Sequence, residues 1–88
     1  MVNNRRSEFE IISKLLDISK YGAKKTELLY QGNLSYTQLK DYLELLLDNE
    51  ILEEIPDKHN GGKSRFYQLT KKGNDFLIDI NKTLSYLK

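Results

Sequence analysis

Apolar positions along this chain recur first with a helical period and then with a strand period, and the change of period marks its architecture. Phe9, Ile11, Ile12, Leu15, Leu16 and Ile18 cover more than half the circumference of a helix that a Ser7/Glu10 capping box opens and that runs to about Lys20. So wide an apolar band predicts burial on two sides. Gly22 is placed to end the helix in a left-handed cap. Thr26 can cap a short second helix, Glu27 to about Gln31, with Leu28 and Leu29 turned inward. Gly32-Asn33-Leu34 supplies a turn. Ser35 then opens a third helix, with Gln38 able to reach back to it, and Leu39, Leu43, Leu46 and Leu47 recur at helical spacing to about Asn49.

From Ile51 to Ile55 the period falls to that of a strand. Pro56-Asp57-Lys58-His59-Asn60-Gly61-Gly62-Lys63 reads as a turn, and a second strand follows, with Phe66 and Leu69 expected on one face. Thr70 can cap a last helix, along which Leu77, Ile80, Leu84 and Leu87 are spaced three, four and three, as in a coiled-coil seam. A helix feeding into a hairpin with a cationic, glycine-bearing tip is the order of a recognition helix and its wing. The expected fold is mainly α with a small β-hairpin (α+β), a winged helix-turn-helix of order α-α-α-β-β-α, with a short extra strand near Ala23-Lys24. Residues 1–6 are expected to be a basic N-terminal arm, 7–70 the winged helix-turn-helix, and 71–88 a C-terminal helix for dimerisation.

Length and charge sharpen this picture. Eighty-eight residues make one domain, and 39% apolar content is enough for one core. The absence of cysteine excludes disulfides and thiolate metal sites. No apolar run approaches the ~18 residues of a membrane span, and Met1-Val2-Asn3-Asn4-Arg5-Arg6 is not followed by a signal-like apolar core, so a cytoplasmic, nucleoid-associated protein is expected. Net charge is only +1, yet its distribution is uneven. Six acids and no base lie from Glu44 to Asp57, and five bases and no acid from Lys58 to Lys72. Such blocks can give one basic and one acidic face.

Catalytic chemistry finds little support. The lone His59 sits on the predicted turn between Lys58 and Asn60, with no second histidine, cysteine or carboxylate pair at metal spacing. Gly61-Gly62-Lys63-Ser64 lacks the first glycine of a phosphate-binding P-loop and precedes a strand where that motif needs a helix. No enzyme activity, metal, cofactor or small-molecule ligand is expected. A nucleic-acid reading uses the same residues better. With Leu39, Leu43 and Leu46 buried, Tyr36, Thr37, Lys40, Asp41 and Glu44 fall on the opposite face of the third helix. Ser35, Tyr36, Thr37, Gln38 and Lys40 occupy its acid-free first turns, so it should enter a major groove by that end. Gln38 could bond adenine if it turned outward, in competition with its capping role. In the wing, Gly61 and Gly62 let backbone approach DNA, while Lys58, Asn60, Lys63 and Arg65, flanked by Lys24 and Lys25, offer contacts to phosphates.

The stretches Gly22-Ala23-Lys24-Lys25-Thr26, Leu34-Ser35-Tyr36-x-Gln38-Leu39-x-x-Tyr42-Leu43-x-x-Leu46-Leu47 and Tyr67-x-Leu69-Thr70-x-x-Gly73 resemble the archaeal winged-helix transcriptional regulators. These include small chromatin-type proteins that dimerise through a C-terminal coiled coil. The resemblance spans residues 5–76. It implies double-stranded DNA as partner, a symmetric homodimer through Leu77, Ile80, Leu84 and Leu87, and a role as a regulator. Two departures stand out: Glu50 replaces the family's glycine after the third helix, so Asn49 is expected to take the turn, and the last helix is short for a coiled-coil dimeriser. Two other readings remain open, a protein-interaction module docking through the acidic stretch from Glu44 to Asp57 and an architectural chromatin protein without a defined operator. An RNA-binding role is disfavoured, because Phe66 and Tyr67 should face opposite ways and cannot form a stacking platform.

Overall fold

A computed structural model of the chain describes residues 8–58, 61 and 65–86. The elements run α1 (Glu8–Ile18), β1 (Ala23–Lys24), α2 (Lys25–Gln31), α3 (Tyr36–Asp48), β2 (Leu52–Pro56), β3 (Arg65–Leu69) and α4 (Lys71–Ser85), with a 3-10 turn over Ser19–Tyr21. The three strands form one antiparallel sheet of order β1-β3-β2. This is the winged helix-turn-helix, with the short strand at Ala23–Lys24 closing the sheet beside β3.

The helical periods land where the apolar pattern places them. Ile11, Ile12, Leu15 and Leu16 bury one band of α1, and Leu39, Leu43 and Leu46 one stripe of α3. They meet Leu28, Leu34, Ala23, Ile51, Leu52 and Tyr67 in a single core. Phe9 stays 57% exposed and Ile18 half-buried, so α1 is narrower in its buried band than its sequence suggests. Its end is tightened by Ser19, whose buried hydroxyl donates to the Leu15 carbonyl at 2.8 Å. Gly22 has φ +92° and ψ 128°, a positive-φ conformation but not a left-handed helical cap; its N–H donates to the Ser19 carbonyl.

Two boundaries and one strand's facing also differ from expectation. The second helix starts at Lys25, not after Thr26: Lys24 occupies the cap position, and its N–H donates to the Glu27 carboxylate at 3.0 Å. Thr26 is therefore an exposed residue of the first turn. At the end of α3, Glu50 and not Asn49 takes the left-handed position, with φ +59° against −93° for Asn49. The Ile51 N–H donates to the Leu46 carbonyl at 2.9 Å and the Glu50 N–H to Leu47 at 3.1 Å, the paired bonds of a Schellman motif. Asn49 instead satisfies the Leu45 carbonyl through its side-chain amide at 2.8 Å. On β3, Tyr67 and Leu69 share the core-facing side while Phe66 faces the other way, because a strand alternates and residues three apart cannot share a face. Ser7 and its capping box fall outside the described residues.

Thr70 caps α4 by accepting the Gly73 N–H at 2.9 Å. Its hydroxyl also lies 2.6 Å from the Glu50 carbonyl and 3.2 Å from that of Ile51, and its own N–H donates to Ile51 at 3.1 Å. The start of α4 is thereby tied to the end of α3. The approach is so close that a Cβ on Gly73 would collide with the Ile51 carbonyl oxygen. Further along, Leu77 and Ile80 are buried against the chain's own core, at 3% and 5% exposure, and the Ser13 hydroxyl meets the Asn81 side chain at 2.8 Å.

Candidate nucleic-acid interface

The third helix owes its direction to its first turn. The Gln38 N–H donates to Ser35 Oγ at 3.1 Å, and the Ser35 N–H donates to Gln38 Oε1 at 3.0 Å. Two orphan donors are satisfied at once. The capping role of Gln38 prevails, so its amide oxygen is held against the backbone of Ser35 and not offered to a base edge. Tyr36, Thr37, Lys40, Asp41 and Glu44 are all exposed, opposite the buried Leu39, Leu43 and Leu46. No acid stands in the first turn of α3, where the unpaired N–H groups and the helix dipole favour anions. Tyr36 is 63% exposed, and the Lys25 ammonium lies 5.4 Å from its ring centroid. This cation–π contact joins α2 to α3 at the exposed corner of the helix-turn-helix.

The wing follows α3 in the chain. Its strands pair Leu52 with Leu69, Glu54 with Tyr67 and Pro56 with Arg65. Lys58 and Gly61 are exposed at its turn, where the Gly61 N–H donates to the Lys58 carbonyl and Gly61 takes φ +66°. Asn60, Gly62 and Lys63 fall outside the described residues. Arg65, on β3, is half-exposed.

The two faces of the sheet carry different chemistry. On the outer face Lys24 lies opposite Phe66 and Ile55. Its ammonium is 5.7 Å from the Phe66 ring centroid and 3.9 Å from a carboxylate oxygen of Asp57, which is 5% exposed. Lys24 thus braces the root of the wing, and the structure separates it from Lys25, which stays beside Tyr36. On the inner face Glu54 sits between Tyr67 and Arg65, hydrogen-bonded by the Tyr67 hydroxyl and 3.9 Å from the Arg65 Nε. Burial, then the bond to Glu54 and that carboxylate's charge, push the Tyr67 pKa up to about 12; Arg65 opposes the shift and nearby Tyr36 adds to it. Glu54, Tyr67 and Arg65 therefore cluster on one face of the hairpin, with Tyr36 of α3 near enough to act on the Tyr67 hydroxyl electrostatically. Neither Glu54 nor Tyr67 stands out in the sequence as a site residue. Only the cross-strand register, which depends on the length of the intervening turn, brings them together.

Of the four seam residues on the last helix, Leu77 and Ile80 are internal, Leu84 is half-buried and Leu87 lies outside the described residues. Phe9, Phe76, Asp79, Ile80, Thr83 and Leu84 line a shallow groove of about 160 Å³ between α1 and α4. Among the described residues no helix is long and apolar enough to cross a membrane.

A family model described as winged helix-turn-helix matches residues 5–88. An uncharacterized protein of Methanocaldococcus jannaschii, MJ0287, is 33% identical over 55 residues, 61% of this chain and 57% of that protein. The match thus spans little more than half the length of that curated relative. Among solved structures, Sso10a-2, a DNA-binding protein from Sulfolobus solfataricus, superposes with a TM-score of 0.80 at 20% identity, covering 92% of this chain and 81% of its own. The smu.1704 protein from Streptococcus mutans gives 0.85 at 19% identity over 98% and 86%. A mutant MarR from E. coli, complexed with operator DNA, gives 0.68 at 16% identity over 84% and 51%. At these identities the structural likeness is one of fold.

Proposed function

This chain belongs to the winged helix-turn-helix family, and from that membership we propose that it binds double-stranded DNA as a homodimeric transcriptional regulator of modest sequence specificity, inside the cell. The observation that carries the reading is the exposed, acid-free first turn of α3, with Tyr36, Thr37 and Lys40 outward, together with the exposed wing cations Lys58 and Arg65. The first turns of α3 enter the major groove, and the wing lies against phosphates. Asp41 and Glu44, further along the same face, keep the rest of the helix away from the backbone. With few base-reading side chains per chain, each worth about 1 to 3 kcal/mol, discrimination depends on two half-sites. The DNA-binding description of Sso10a-2 and the operator complex of MarR support the partner class. The second copy packs where Leu84, Phe9 and Phe76 border the groove between α1 and α4.

Fluorescence anisotropy with random and selected duplexes over a salt series tests this. Affinity should fall steeply with salt, and removing one phosphate-binding cation, as in Arg65→Ala, should make the log-log slope shallower by about 0.9 per chain. Salt-insensitive association with a protein, mediated by the exposed acids Glu44, Asp48, Glu50 and Glu53, would instead support an interaction module. A sharp palindrome from duplex selection identifies a regulator; no consensus identifies an architectural protein.

A further inference from the structure

We propose that Glu54 is an affinity-limiting residue, a carboxylate that competes with DNA phosphate for Arg65 and so weakens binding to arbitrary sequence. This rests on the DNA-binding reading above. Three observations point to it. Glu54 is an acid on the hairpin face that also carries Arg65 and Tyr67, where a backbone phosphate would carry the same charge. It lies 3.9 Å from Arg65 Nε, while the two side chains are 41% and 49% exposed, so the pair is loose and an incoming oxyanion can replace it. Across the hairpin it pairs with Tyr67, a side chain only 6% exposed whose hydroxyl interacts with the Glu54 carboxylate. A DNA phosphate that reaches Arg65 therefore has to take the place of this carboxylate.

The consequence is a penalty that falls on every duplex alike. The ratio of affinities is unchanged, but at a given protein concentration random DNA is left largely unoccupied while a site that also satisfies Tyr36 and Thr37 still binds. Glu54→Gln tests the idea, since it removes the charge and keeps an acceptor for the Tyr67 hydroxyl. The variant should bind random duplex about two- to fivefold tighter at low salt, the range expected for an exposed ion pair. Its salt slope should steepen, by less than about 0.9 per chain, because no Glu54 carboxylate is left to take up a cation when Arg65 turns to a phosphate. In an Arg65→Ala background the same substitution should gain little, because the residue being competed for is gone. Glu54→Ala gives a second route to the same affinity gain should the Gln variant unfold, with circular dichroism checking both. Unchanged affinity and slope, or an equal gain with and without Arg65, overturns the proposal while leaving the DNA-binding reading intact. Absence of salt-dependent binding by the unsubstituted chain overturns both.

Discussion

Replacing Glu50 by glycine should stabilise this protein, although most substitutions do the opposite. Glu50 holds φ +59° at the left-handed position that ends α3. A side chain there costs roughly 1 to 2 kcal/mol, because Cβ crowds the following carbonyl. Glycine removes that cost but gains freedom in the unfolded chain, which returns roughly 0.4 to 1 kcal/mol. The net backbone gain is about 0.5 to 1 kcal/mol. A second contribution runs the same way: the exposed Glu50 carboxylate faces the negative end of the α3 dipole, an interaction of roughly 0.3 to 1 kcal/mol. Glu50→Gln separates the two, since it removes the charge and leaves the backbone cost. The Glu50 carbonyl still accepts from Thr70 in either variant, so the tie to α4 is kept. Urea unfolding followed by far-ultraviolet circular dichroism, at one fixed protein concentration, gives the comparison. Glycine should exceed glutamine by about 0.5 to 1 kcal/mol, a few degrees in melting temperature for a chain of this size. A glycine variant no more stable than the glutamine variant would refute the assignment of strain to Glu50.

Other substitutions probe the rest of the frame. Gly73→Ala should cost about 1 to 3 kcal/mol or more in the same unfolding assay, because its Cβ meets the Ile51 carbonyl; a neutral result would mean that α4 can shift away. Tyr67 holds its proton to about pH 12 when folded but only to about 10 when unfolded, so its contribution is complete below pH 10 and lost as pH rises to 12. That loss amounts to about 3 kcal/mol at most, and the unfolding free energy of Tyr67→Phe should fall correspondingly less between those pH values. Leu84→Asp should turn a micromolar dimer into monomer in sedimentation, and an already monomeric wild type would remove the dimer from the proposal. Tyr36→Ala should reduce preference for a selected duplex more than affinity for random DNA, whereas equal reductions would make Tyr36 a backbone contact.

The elements are legible wherever one physical signal dominates. The stripes of α1 and α3, the Ser35/Gln38 box and the Thr70 cap follow from period and hydrogen-bonding chemistry, and they lie where the pattern puts them. Contact partners are less legible. The Leu77-Ile80 seam has the spacing of a coiled coil, but that spacing equally fits packing on α1, and no periodicity says which surface a stripe meets. Lys24 and Lys25 look equivalent in sequence, yet strand alternation sends the first to the outer face of the sheet while the second opens α2. Glu50 escapes a reading of local preference because asparagine is the better left-handed residue; the position of the last helical hydrogen bond decides which residue takes that conformation.

The junction at Thr70 makes the wing a side loop in the chain's path. Residues 50 and 51 bond directly to residue 70, so the strands and turn between them leave and return to nearly the same point. Lengthening or shortening the hairpin therefore need not displace α4, and in the proposed DNA-bound dimer the reach of the wing can be tuned separately from the spacing of the two copies of α3. That spacing passes instead through a rigid bridge: whatever holds the last helix also sets the tilt of the third. Reach and registry become two independent design variables, one housed in a loop of free length and the other in a joint that admits no Cβ at position 73.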